Sequence, residues 1–108
     1  MASFLVETFV PPGHGDRLTA GAGRLRAAID ALDEAGGHIR HVRSYLVPRD
    51  DMGVHVIEAD SADAVIRLAE LAGIDVERIV GAIGIEPPHA VVDEPPRTQL
   101  RRAAERGQ

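Results

Sequence analysis

The sequence predicts an α+β domain: one antiparallel four-stranded sheet with two helices on a single face. Three observations predict it. Four segments read as strands, each β-branched or aliphatic and most of them bounded by Gly, Pro or Asp. Two segments between them repeat apolar residues at helical spacing. Their order along the chain is β-α-β-β-α-β, with only a short turn between the middle two strands.

The first strand is expected from Ser3 to Val10, stopped by the Pro-Pro-Gly at 11–13. Leu18, Leu25, Ile29 and Leu32 then share one helical face, and Gly36 and Gly37 mark a stop. Gly21 and Gly23 weaken the early turns, because glycine in a helix interior costs about 1 kcal/mol against alanine. The firm part of this helix is therefore placed at 24–35. His38 to Pro48 reads as the second strand, Arg49 to Gly53 as a hairpin turn and Val54 to Ala59 as the third strand. Asp60 or Ser61 should cap a helix whose buried stripe is Val65, Leu68, Ala69 and Ala72 and which Gly73 closes. A fourth strand is expected over about Ile79 to Ile85. This is the ferredoxin-like β-α-β-β-α-β sandwich, assigned to residues 1–86. Residues 87–108 form a Pro-rich C-terminal tail with a possible short helix.

Composition removes several function classes. The net charge is −5, and all 12 basic residues are Arg, scattered rather than striped, so no nucleic-acid partner is expected. The chain has no Cys, which excludes disulfides, thiolate metal sites and Cys nucleophiles. No apolar run approaches the roughly 20 residues of a membrane span, and the opening "MASFLVETF" does not resemble a signal peptide. A cytoplasmic location, with no membrane partner, is the expectation.

Both helices on one face leave the other face bare. Strict alternation puts Phe4, Val6, Val42, Leu46, Val54 and Val56 under the helices. The bare face then collects Leu5, Glu7, Phe9, His41, Arg43, Tyr45, His55 and Ile57. It is too apolar for open water and too polar for a dry core, so a homodimer through it is expected. In this topology strands 1 and 3 are central neighbours and strand 2 lies beside strand 3. Glu7, His41 and His55 then fall about 5 Å apart on adjacent strands. Two imidazoles and a carboxylate suit a divalent ion such as nickel or zinc. The same groups serve a dimeric α/β-barrel enzyme, an isomerase or cofactor-free monooxygenase, with a His as acid–base group, Arg43 holding an anion and Tyr45 donating a hydrogen bond. They also serve nothing catalytic if His41 and His55 merely pair with Glu7 or Tyr45 on a wet face, or if the domain is a structural or regulatory partner-binding module.

One resemblance adds to these readings. "FLVE" at 4–7 and "IRHVRSYLVPRDDMGVHVIEADSADAVIRLAELAGIDVERIV" at 39–80 resemble a family of small bacterial proteins long catalogued as a domain of unknown function. The Ser44–Tyr45 pair and "DVERI" at 75–79 are the most specific parts. The family includes a nickel-binding member with a ferredoxin-like fold, so the resemblance implies a homodimer and nickel as cofactor. This chain departs from it at His55, where a strand-3 Cys is expected, and at His41, where an aromatic is common.

Overall fold

A computed structural model describes residues 1–34 and 36–85. Strand β1 (Ala2–Phe9) leads into helix α1 (Gly15–Glu34). Strand β2 (Arg40–Val47) is joined by a single 3-10 turn at Pro48–Asp50 to strand β3 (Met52–Ala59). Helix α2 (Ala62–Ala72) and strand β4 (Val76–Ala82) complete the order β-α-β-β-α-β. The sheet is antiparallel throughout, with strand order β2-β3-β1-β4, so β1 and β3 are the central pair.

The local chemistry explains most of these bounds. Pro48 opens the 3-10 turn, and Asp51 closes it in the left-handed region at φ 51°, a conformation that Asp tolerates. Ser61 caps α2 by accepting from Ala64 N at 3.2 Å. Gly73 ends it at φ 69°, where a Cβ would be strained.

Several boundaries differ from expectation: β2 begins at Arg40, β3 takes in Met52 and Gly53 from the expected turn, and β4 ends at Ala82 rather than Ile85. Helix α1 begins at Gly15 rather than near residue 24; of its two interior glycines, Gly21 packs against the sheet side and Gly23 faces open space. A Cβ on Gly21 would lie 3.3 Å from Ile74 Cδ1 and 3.5 Å from His55 Nε2. Strand β4 begins at Val76 rather than Ile79, and a register shift between Glu7 and Thr8 brings Val76 opposite Thr8. The proposed tail at 87–108 lies outside the described residues.

The core is aliphatic, as three aromatics in the chain require. Val6 and Ile57 from the central strands meet Leu25, Ala28 and Ile29 of α1 and Val65, Leu68 and Ala72 of α2. The expected stripe of α2 is buried, as are Leu18, Leu25 and Ile29 of the α1 stripe, with Leu32 partly buried against the core. Among the described residues no helix is long and apolar enough to cross a membrane.

Candidate functional site

Strand register decides which side chains meet. Val6 lies opposite His55, and Phe4 opposite Ile57. Val6 and Ile57 are wholly buried in the core beneath the helices, so His55, Ile57 and Ala59 share that layer. Val54, Val56 and Glu58 point to the bare face instead. The expected assignment of β3 is thus inverted.

On β2, a bulge changes the alternation. His41 pairs with Ile57, but Arg43 pairs with Val56, leaving Val42 as the extra residue. His41 therefore lies on the helix side with Ser44, while Arg43 and Tyr45 stay on the bare face, where the Arg43 guanidinium carbon sits 5.9 Å from the Tyr45 ring centre. Glu7 also faces away from the helices. It pairs with Arg78 across β1 and β4 at 3.1 Å.

The expected ligand set Glu7, His41 and His55 is consequently not assembled: the carboxylate and the imidazoles are on opposite faces of the sheet. Among the described residues no group of three or more His, Asp or Glu side chains could hold a metal ion. Two imidazoles do not complete a site for nickel or zinc, and the described residues do not fit that group. Arg43 and Tyr45 are likewise separated from both histidines, so a single cavity combining a His with Arg43 is not formed.

What the fold assembles is a chain of three polar side chains under the helices. His41 Nε2 lies 2.9 Å from Ser44 Oγ, and Ser44 Oγ lies 2.6 Å from His55 Nδ1. The two rings meet edge to face, with centres 5.8 Å apart. His55 is 1% exposed. Burial, the neighbouring His41 and the Arg24 guanidinium push its pKa down to about 4. His41 is also held below its ordinary value, first by burial and then by Arg26, with the backbone at Arg43 acting the other way. Both rings are neutral near pH 7. His55 is a buried polar group that Ser44 satisfies, which removes most of the cost of placing it in an aliphatic layer.

His55 also forms part of the wall of a cavity of about 310 Å³. The cavity lies between the end of β1 (Thr8, Phe9), one side of α1 (Arg17, Gly21, Arg24) and the α2–β4 connection (Gly73 to Asp75, with Glu77). Its size is at the low end for small-molecule sites, about 300–1,000 Å³. Arg24 Nε donates to the Ala72 carbonyl at 2.9 Å, tying α1 to the C-terminal end of α2 at the cavity edge. Two arginines and two acidic residues balance its charge. Because Gly21 has no Cβ, α1 packs closely over His55 Nε2 and Ile74 in this wall.

Of the residues here, the sequence singles out His41 and His55 on chemistry but not their surroundings. Ser44, Gly21, Arg24 and Asp75 were not recognised as site residues. Gly21, a helix-weakening residue inside an otherwise good helix, is a signal that could have marked a close approach.

No family model matches the chain, and no match is found among curated proteins. The fold is similar to the crystal structure of SCO4226 from Streptomyces coelicolor A3(2), at 21% identity and a TM-score of 0.61, covering 80% of this chain and all of that one. At that identity the likeness shows the fold alone.

Proposed function

We propose that the protein binds a compact, neutral or zwitterionic molecule in the cavity beside α1, where His55 meets it as a hydrogen-bonding or proton-exchanging group. The observation that supports this most is a buried, neutral imidazole, held on one edge by Ser44, in the wall of a cavity whose charges balance. A neutral imidazole near pH 7 can accept at its second nitrogen, which an imidazolium, a donor at both nitrogens, cannot do. This places the working His in a helix-side cavity, rather than with Arg43 on the sheet face. Nickel binding, which the family resemblance implies, has less support, because Glu7 points away from both imidazoles.

A screen of small amino acids and carboxamides by chemical-shift perturbation tests the reading. Binders should shift Gly21, His55 and Ile74 together, and Gly21→Val, which crowds Ile74 and the His55 ring in the cavity wall, should weaken them by about tenfold or more. Binders that map to Tyr45 and Arg43, or that ignore the Gly21 change, contradict it.

We also propose that two copies pair through the helix-free face. Phe9 is 58% and Tyr45 is 49% exposed there, beside Leu5, Val56 and Val80, with charged pairs Glu7–Arg78 and Arg40–Glu58 among them. Apolar residues that a monomer leaves in water and a rim of ion pairs are what a self-complementary interface uses. Light scattering should give twice the 11.5 kDa of the chain. Tyr45→Glu should weaken association by about tenfold or more, since a charge is then buried without a partner. A monomer at every concentration, or an unaffected variant, contradicts pairing through this face.

A further inference from the structure

The His41–Ser44–His55 chain lies between two different cavities, with one ring against each. His55 walls the cavity beside α1. His41 walls a separate groove between α1 and β2, which also holds Arg26, Asp30, Asp33 and Arg40. Ser44 Oγ stands between the rings, within hydrogen-bonding distance of one nitrogen of each. The outer nitrogen of His41, Nδ1, is buried with no hydrogen-bond partner among the described residues. An orphaned ring nitrogen at the end of a satisfied chain calls for an account.

We propose that His41, Ser44 and His55 form a proton relay joining the cavity to the α1–β2 groove, with Ser44 as the positioning residue that couples the two rings. The proposal builds on the cavity reading above.

The coupling follows from the hydroxyl. Ser44 has one proton to give, and the hydrogen bonds described for its oxygen are those to the two rings. It therefore donates to one ring and accepts from the other. If it donates to His41 Nε2, then His41 carries its proton on Nδ1, His55 donates from Nδ1, and His55 Nε2 is an acceptor toward the cavity. If it donates to His55 Nδ1, then both rings carry their protons on Nε2, and His55 is a donor toward the cavity. The two neutral rings must share one tautomer.

Transfer balances. A proton arriving on His55 Nε2 displaces the Nδ1 proton to Ser44 Oγ, the hydroxyl proton passes to His41 Nε2, and the Nδ1 proton of His41 leaves to a water molecule that enters from the groove His41 lines with Asp30 and Asp33. One proton enters, one leaves, and the chain is left in its other orientation. While His41 holds a proton on both nitrogens, His55 is kept in the Nε2–H form; passing that proton on, the reverse transfer, returns both rings to Nδ1–H, so the groove sets whether the cavity sees a donor or an acceptor. The charged and titratable groups lining the two cavities are Arg26, Asp30 and Asp33 of α1 on the groove side, with Arg40 of β2 at its rim where it pairs with Glu58, and Arg17, Arg24, Asp75 and Glu77 on the cavity side.

Long-range proton–nitrogen spectra of the ¹⁵N-labelled full chain read the tautomers without any ligand. The relay predicts equal Nδ1–H fractions in the two rings while both are neutral, and only the Nε2–H form of His55 once His41 is charged. Ser44→Ala should let the two fractions diverge, and Ser44→Thr, which keeps the hydroxyl, should restore their equality. Opposite tautomers in the parent, His55 protonated on Nδ1 beside a charged His41, or fractions still equal in Ser44→Ala would each overturn it. If Ser44→Ala does not fold, the parent spectra decide alone. A failed ligand screen with matched tautomers would count against the cavity reading and leave the relay standing.

Discussion

Acidification from pH 7 to pH 4 should remove on the order of 3 kcal/mol of stability through His55 alone. An imidazole in the unfolded chain takes its proton near pH 6.5, whereas in the folded protein His55 holds out to about 4, chiefly because burial penalises the charged form. Between those two values the unfolded state binds more protons than the folded state, so stability rises with pH. The contribution is whole above about pH 6.5 and drains away as pH falls towards 4. At about 1.4 kcal/mol per pH unit, the gap gives the figure stated. His41 is shifted in the same direction and adds to the slope. Urea unfolding at pH 4, 5, 6 and 7 measures it. Carboxylates contribute to any acid denaturation, so the comparison that matters is with His55→Gln, which does not titrate. The variant should be less stable at pH 7 and should show a flatter profile between pH 4 and 6.5. Parallel profiles for parent and variant would show that the ring is not held neutral by the fold.

Leu25→Ala should cost about 3 kcal/mol, within the range of about 2–5 kcal/mol seen for buried leucines. Leu25 is 0% exposed and packs with Val6, Ile57 and Leu68, so it joins the sheet and both helices in one cluster. Truncation loses the transfer energy of the removed carbons and leaves a cavity that two helices and a rigid sheet close only in part. For a domain of this size the melting temperature should drop by roughly 15 °C. Leu71→Ala is the natural control. It lies on α2 but is 58% exposed, and its cost should stay within about 0.5 kcal/mol. The Leu25 change also loosens the helix that carries Gly21 and Arg24, so the cavity wall is weakened along with the core.

The architecture was legible because its signals are local. Strand and helix order, the buried stripes of both helices, the Ser61 cap, the Gly73 stop and the sheet order all follow from spacing and turn chemistry. The faces of β2 and β3 were not legible, for a different reason. In "VHVIEA" both parities carry apolar residues: Val54 and Val56 on one, Ile57 and Ala59 on the other. Hydrophobicity does not choose between them, and one misassigned strand turns every side chain over. The choice is made by pairing with β1, where Val6 meets His55. On β2, Val42 is the extra residue of a bulge and no glycine marks it. Strict alternation therefore grouped His41 with Arg43 and Tyr45, when the bulge sends it to the other side. Glu7, Arg43 and Tyr45 were placed on the helix-free face, and they are there. The two imidazoles were grouped with them and instead lie under the helices with Ser44.

The most direct measurement is the set of through-space proton contacts of the His55 ring. With His55 Cε1 3.8 Å from the position a Gly21 Cβ would take, strong contacts from the ring to the Gly21 α-protons and the Ile74 methyl are predicted. Contacts from that ring to the Tyr45 aromatic protons or the Glu7 side chain would place it on the opposite side of the sheet and contradict the account.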